Sequence, residues 1–179
     1  MSTRPDYRTA LADTGLMQML MPFDPHVAGT PPLGIDVPGS DIDILCHAPD
    51  AQAFTQTLWT VCGPFADVAI HQWTLASRPI LCTFTHAGWA FEIFGDARPV
   101  EQQEGWRHFR VEQRLLALGG TSFRQAILER RSAGLKTEPA FAAVLGLAGD
   151  PYEALLALGD ASDVRLADML KQNNAVRPE

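Results

Sequence analysis

The chain has 179 residues, 46% of them hydrophobic, and carries 14 Lys and Arg against 21 Asp and Glu, for a formal net charge of −7. That length supports one substantial core burying roughly 70% of the unfolded surface, with a small helical appendage, and the acidic balance lacks the basic footprint that neutralises a phosphate backbone. Long nucleic acid is therefore not an expected partner, a local basic cleft being left open; Cys46, Cys62 and Cys82, odd in number and widely spaced, argue against a disulfide framework or a zinc site.

In chain order, residues 6–21 read as a helix or two short ones, apolar at Leu11, Leu16, Met19 and Leu20, with a break at Gly15 and a stop at Pro22. Residues 25–30 read as a short extended piece. Asp41 to Cys46 alternates with period 2 and is β-branched, which predicts a strand. Asp50 caps a helix with the apolar stripe Ala51, Phe54, Leu58, Val61 and Cys62, closed by Gly63-Pro64. Three strand-like runs follow, Asp67 to Thr74, Ile80 to Thr85 and Trp89 to Phe94, with hairpin-length joins at Ser77-Arg78-Pro79 and His86-Ala87-Gly88, so this part reads as an antiparallel meander.

From Glu101 the period changes to about 3.6. Helices are predicted over 101–118, 122–132, 138–148, 151–158 and 163–172, separated by Gly119-Gly120, Gly134, Gly149 and Gly159. The expected fold class is α+β: a mixed or antiparallel sheet of about four or five strands with flanking helices, followed by a C-terminal helical subdomain. The expected division is residues 1–98, residues 99–172, and a disordered tail at 173–179. No window approaches the ~18 apolar residues of a membrane span and the N-terminus has no apolar signal core, so no membrane is expected and the protein reads as soluble and cytoplasmic.

One feature is not generic. Residues two apart on a strand share a face, so Asp41 and Asp43 project together while Ile42 and Ile44 enter the core. Two adjacent acids on a rigid strand repel unless a cation neutralises them, and hard oxygen ligands with open positions suit Mg²⁺ carrying a substrate's phosphates. Glu92, a charge on the otherwise apolar run Phe91-Glu92-Ile93-Phe94, supplies a third acid for a two-metal site. Upstream, Gly29 permits close backbone approach, and its amide, the amide of Thr30 and the Thr30 hydroxyl form a cradle for phosphate oxygens.

Gly29-Thr30, ten residues, Asp-Ile-Asp-Ile and a later apolar-Glu-apolar strand together resemble the signature of the polymerase-β type nucleotidyltransferase superfamily, over about residues 25–95. More narrowly, the stretch from Gly29 to Ile44, with Lys136-Thr137-Glu138-Pro139-Ala140-Phe141-Ala142 and Gly149-Asp150-Pro151-Tyr152 downstream, resembles a bacterial family catalogued as a domain of unknown function and grouped with the minimal nucleotidyltransferases. The resemblance implies that Asp41 and Asp43 bind the catalytic and nucleotide-bound Mg²⁺ (or Mn²⁺), with Glu92 completing the metal site or accepting the proton of the attacking hydroxyl. It implies attack on the α-phosphate of an NTP with loss of pyrophosphate. Thr30 stands where serine is commoner in that pattern, and Glu92 where aspartate is.

Further candidates have two readings each. Ser40 opens the strand as a loop cap or touches phosphate. Lys136, before a helix start, is a solvated lysine or a partner of the triphosphate. His108 and Glu112, at i and i+4 beside the apolar face, are a structural pair or line the acceptor pocket. The leading function is nucleotidyl transfer to a hydroxyl of a small molecule or protein, the alternative a catalytically silent nucleotide-binding or regulatory module of the same fold. A sugar-nucleotide glycosyltransferase reading of D-x-D needs a nucleotide-binding unit ahead of the motif, and about 40 residues are too few for one.

Overall fold

The computed structural model describes residues 4–74 and 77–175. It comprises two units: one takes the chain up to Pro32 and Pro38–Trp106, the other Leu33–Val37 and the chain from Arg107 on.

In the first unit, Asp6 caps α1 (Tyr7–Thr14) by accepting from the Arg8 amide at 2.8 Å, and Gly15, at φ 66, turns the chain into α2 (Leu16–Met19). The helical stretch is thus two short helices, ended by a 3-10 turn at Met21–Phe23 that contains Pro22. β1 (His26–Ala28) leads through Gly29 into the single turn α3 (Thr30–Leu33). β2 (Ile42–His47) follows, then α4 (Ala51–Cys62), whose first amides at Gln52 and Ala53 are taken by the Asp50 carboxylate at 3.0 Å. β3 (Ala66–Gln72), β4 (Ile80–His86) and β5 (Trp89–Asp96) complete a five-stranded sheet in the order β1-β2-β5-β4-β3.

β3, β4 and β5 form the expected meander, whereas β2 pairs β5 in parallel and β1 pairs β2 antiparallel. The β4–β5 join is tighter than the sequence suggests. His86 pairs with Trp89, leaving Ala87 at φ 50 and Gly88 at φ 78 as a two-residue turn; two left-handed residues in succession give the type I′ geometry that matches strand twist. Ile42, Ile44 and Cys46 are fully buried, in one core with Phe54 and Leu58 of α4. Gly95 lets α4 lie close on the sheet, because a Cβ there would stand 2.1 Å from the Phe54 ring. All three cysteines are free and buried.

The N-terminal segment is held by a long-range pair: the Arg4 guanidinium lies 3.5 Å from the Trp89 ring centroid, and the Trp89 indole donates to the Pro5 carbonyl at 2.9 Å. Asp96, at the end of β5, is 1% exposed and accepts from Ser77 Oγ and, at 3.0 and 3.1 Å, from Arg98. Burial pushes its carboxyl up, but the hydrogen bonds from Arg98 and Ser77 win and hold it below the usual carboxylate range.

The second unit is helical. α5 (Glu104–Ser132) begins three residues later than predicted, after a 3-10 turn at Val100–Gln102, and its helical path is interrupted at Gly120 (φ 65, ψ −157), where the sequence predicts a break between two helices. α6 (Thr137–Leu145), α7 (Pro151–Leu156) and α8 (Asp163–Ala175) follow. Asp150 caps α7 through the amides of Tyr152 and Glu153. Phe123 and Phe141 meet edge to face with centroids 5.9 Å apart, in a core with Leu115 and Leu155. Arg114 ties α5 to the α7–α8 connection through the carbonyls of Gly159 and Ala161 and the carboxylate of Asp163. Ile35 is fully buried, and Arg124 donates to the carbonyls of Leu33 and Gly34. α8 passes Gln172 and reaches Ala175, so residues 173–175 are helical where the sequence predicts a tail; residues 176–179 lie outside the described ones. Among the described residues no helix is long and apolar enough to cross a membrane.

Candidate functional site

The site is built on β2 and β5. Asp43 pairs in register with Glu92 on β5 and with Ala28 on β1, so the two acids stand side by side on neighbouring strands, about 4.8 Å apart along the hydrogen-bonding direction. Asp41 immediately precedes β2 and shares the Asp43 face by the two-residue period. All three acids are half-buried, while Ile42, Phe91 and Ile93 between them are buried. Period 2 therefore sorts the charges onto one side of the sheet and the apolar residues onto the other.

Gly29 comes next to this pair. Its φ is 76, and a Cβ built on it would stand 2.1 Å from Asp43 Oδ2, so both backbone conformation and clearance require glycine. Thr30 is 6% exposed, and its buried Oγ1 finds no hydrogen-bond partner among the described residues. An orphaned buried hydroxyl costs on the order of 1–3 kcal/mol unless something satisfies it, which fits a phosphate oxygen at this point. Three carboxylates form a hard-oxygen donor set of the kind Mg²⁺ takes. Among the described residues, the groups of three whose ligand atoms all lie within 4.8 Å of one another are found elsewhere.

Burial, and secondarily the Asp41 charge, push the Glu92 carboxyl above its usual 4.5. The folded state therefore binds the Glu92 proton more tightly than the unfolded chain does. That stability is fully present below pH 4.5 and is lost as pH rises through the higher folded value. In metal-free protein, Glu92→Gln is expected to remove this part of the decline, so thermal midpoints of wild type and variant measured across that window diverge as pH rises; parallel curves would show that Glu92 feels no such field.

Ser40 is buried just ahead of Asp41, and its carbonyl accepts from the Arg4 guanidinium at 3.1 Å. Lys136, His108 and Glu112 belong to the helical unit. Lys136 is exposed at the N-cap position of α6. His108 and Glu112 are both buried on α5, and the structure brings Glu138 of α6 to them: one ligand atom from each of the three lies within 4.8 Å of the others. From sequence Glu138 reads as a helix-start acid; its signal is the Lys-Thr-Glu-Pro stretch itself. Asp24, His26 and Glu101 form another such group in the first unit, with His26 Nε2 3.1 Å from Asp24 Oδ1. Trp106 meets His26 edge-on at 4.9 Å. Trp73 is 51% exposed, whereas Trp89 is buried.

A protein-family model described as "Domain of unknown function (DUF4269)" matches residues 9–158. No curated protein matches the chain. Among solved structures, the chain is similar to the Cid1 poly(U) polymerase bound to MgATP, with TM-score 0.57 and 12% identity over 84% of this chain and 47% of that one. It is similar to a cytoplasmic RNA terminal U-transferase, with TM-score 0.54 and 13% identity over 83% and 44%. For a GLD-2/RNP-8 complex the values are 0.53 and 9% over 94% and 75%. The chain spans about half the length of the first two. At these identities the likeness shows the fold: an α+β nucleotidyltransferase-type fold with a five-stranded mixed sheet.

Proposed function

The chain belongs to the DUF4269 family, and we propose that it is a nucleotidyltransferase that moves an NMP from an NTP to a hydroxyl acceptor and releases pyrophosphate, with Mg²⁺ or Mn²⁺ as the metal. The observation that carries this reading is the register of Asp43 with Glu92 on adjacent parallel strands, with Gly29 against the Asp43 carboxylate.

Asp41 and Asp43 would hold the metal, which would supply charge neutralisation to the triphosphate and its α-phosphate. The Gly29 and Thr30 amides and the Thr30 hydroxyl hold phosphate oxygens, leaving the α-phosphorus facing Glu92. The acceptor oxygen forms a bond to that phosphorus, the bond to the bridging oxygen of pyrophosphate breaks in line, and the acceptor proton passes to Glu92 or, where Glu92 ligates the metal, to water. Burial, which raises the Glu92 pKa, makes it the stronger base. Ser40 is carried as a further phosphate contact. The acceptor is a small molecule or a protein side chain; the named solved structures include RNA-tailing enzymes, so RNA belongs among the acceptors tested. The proposed location is the cytoplasm.

A second reading, the catalytically silent nucleotide-binding module, is favoured by the Thr30 methyl beside the proposed phosphate position and by Glu92 standing where aspartate is commoner. Labelled NTPs with Mg²⁺, offered an RNA oligonucleotide, an aminoglycoside and the protein itself, separate the two. The expected result is label transfer with pyrophosphate release, abolished by EDTA. NTP binding by calorimetry without pyrophosphate release establishes the silent module, and absence of both overturns the nucleotide reading.

A further inference from the structure

Independently of that reaction, we propose that the helical unit holds a divalent transition-metal ion of the zinc class between His108, Glu112 and Glu138.

His108 and Glu112 are one helical turn apart on α5, so they project from the same face. Val111 and Leu115, buried beside them, fix that face inward. His108 is 9% and Glu112 4% exposed, a degree of burial that charged and titratable side chains reach when they are paired or ligate a metal. Glu138, half-buried in the first turn of α6, closes the group from a second element. The ligand atoms of the three lie within 4.8 Å of one another; in a tetrahedral zinc site, with bonds of about 2.0–2.1 Å, neighbouring ligand atoms stand about 3.3 Å apart. Small side-chain rotations cover that difference.

The donor set decides the ion. Two carboxylates this close repel, and a dication between them reverses the sign of the interaction. One imidazole nitrogen with two carboxylate oxygens favours Zn²⁺, and its usual surrogate Co²⁺, over Mg²⁺, which seeks oxygen alone and keeps its waters. Three protein ligands leave a fourth position for water. The Tyr152 ring of α7 meets the His108 ring edge-on, with centroids 6.3 Å apart, and limits the directions the imidazole can turn. Among the described residues the other group of this kind, Asp24, His26 and Glu101, rests on two exposed acids.

The test uses full-length, tag-free protein stripped with EDTA. Titration with Zn²⁺ by calorimetry is expected to show one ion per chain, and titration with Co²⁺ the intense visible bands of a four-coordinate ion; Mg²⁺ at the same concentrations gives neither. Glu138→Gln, on a half-buried helix start, is expected to weaken Zn²⁺ at least tenfold and to reduce the Co²⁺ bands, and His108→Asn to do the same. Asp41→Asn, which removes a proposed Mg²⁺ ligand of the sheet, leaves Zn²⁺ binding unchanged. Circular dichroism checks that each variant is folded. In wild-type protein the His108 ring resonances shift on adding Zn²⁺, a readout that needs no variant. No Zn²⁺ binding, binding that Glu138→Gln leaves unchanged, or His108 resonances that do not move each overturns the site.

Discussion

Asp41→Asn is expected to lower nucleotidyl transfer by about 10³-fold while raising the thermal midpoint of the metal-free protein. A metal ligand that stabilises charge on the transferring phosphate contributes several kcal/mol in the transition state, and each 1.36 kcal/mol is a factor of about ten. Asn keeps the shape and one oxygen but removes the charge that holds a dication, so most of that contribution goes. Without metal the same charge is unfavourable: it is one of the two causes that push the Glu92 carboxyl up. Its removal relieves the repulsion, and stability at neutral pH rises. The opposite signs matter because a solvated acid at a strand end predicts neither effect, its substitution staying within about 0.5 kcal/mol. Single-turnover rates with labelled NTP and melting in EDTA measure the two. A rate within about threefold of wild type, well short of the expected loss, ends the assignment of Asp41 as a ligand.

Much of this arrangement is visible in the sequence because its signals are local. Period 2 places Asp41 and Asp43 on one face and Ile42 and Ile44 on the other. Glu92 stands out as the acid in the apolar run Phe91 to Phe94, and i, i+4 spacing sets Glu112 beside His108. Non-local pairing is not written in such patterns. That β5 rather than β3 lies against β2 in parallel, setting Glu92 at the register of Asp43, follows from the crossover and not from either strand. Arg4 and Trp89 meet across most of the first unit for the same reason. Glu138 looks like an ordinary first-turn acid, since helix starts favour negative charge wherever they lie; only tertiary structure brings it to His108 and Glu112. Ala87 misleads differently. A non-glycine residue at positive φ is disfavoured, so the sequence points to a longer turn that includes His86, whereas strand twist favours a two-residue connection and Ala87 accepts the strain.

Gly29→Ala is expected to reduce kcat by about 10²-fold with a loss of stability of only about 1–2 kcal/mol. Two costs combine at this position. An L-residue at φ 76 is strained, by roughly 1–2 kcal/mol, and that cost falls on folding. The new Cβ also arrives 2.1 Å from Asp43 Oδ2; because the obstacle is the end of a side chain, the fold survives by turning the carboxylate away. That movement takes the Asp43 carboxylate away from Glu92 and shifts the Thr30 loop, and a displacement near 1 Å at a reacting centre costs about 10² in rate. Gly39→Ala separates the two costs. Gly39 has φ 91, and a Cβ added there would meet nothing within 4 Å, so the substitution brings the same kind of backbone strain without the collision. Melting and steady-state kinetics on both variants decide the matter. If both lose similar stability and only Gly29→Ala loses kcat, glycine is required there by the Asp43 carboxylate; equal kcat in the two variants would mean that the turn alone requires it.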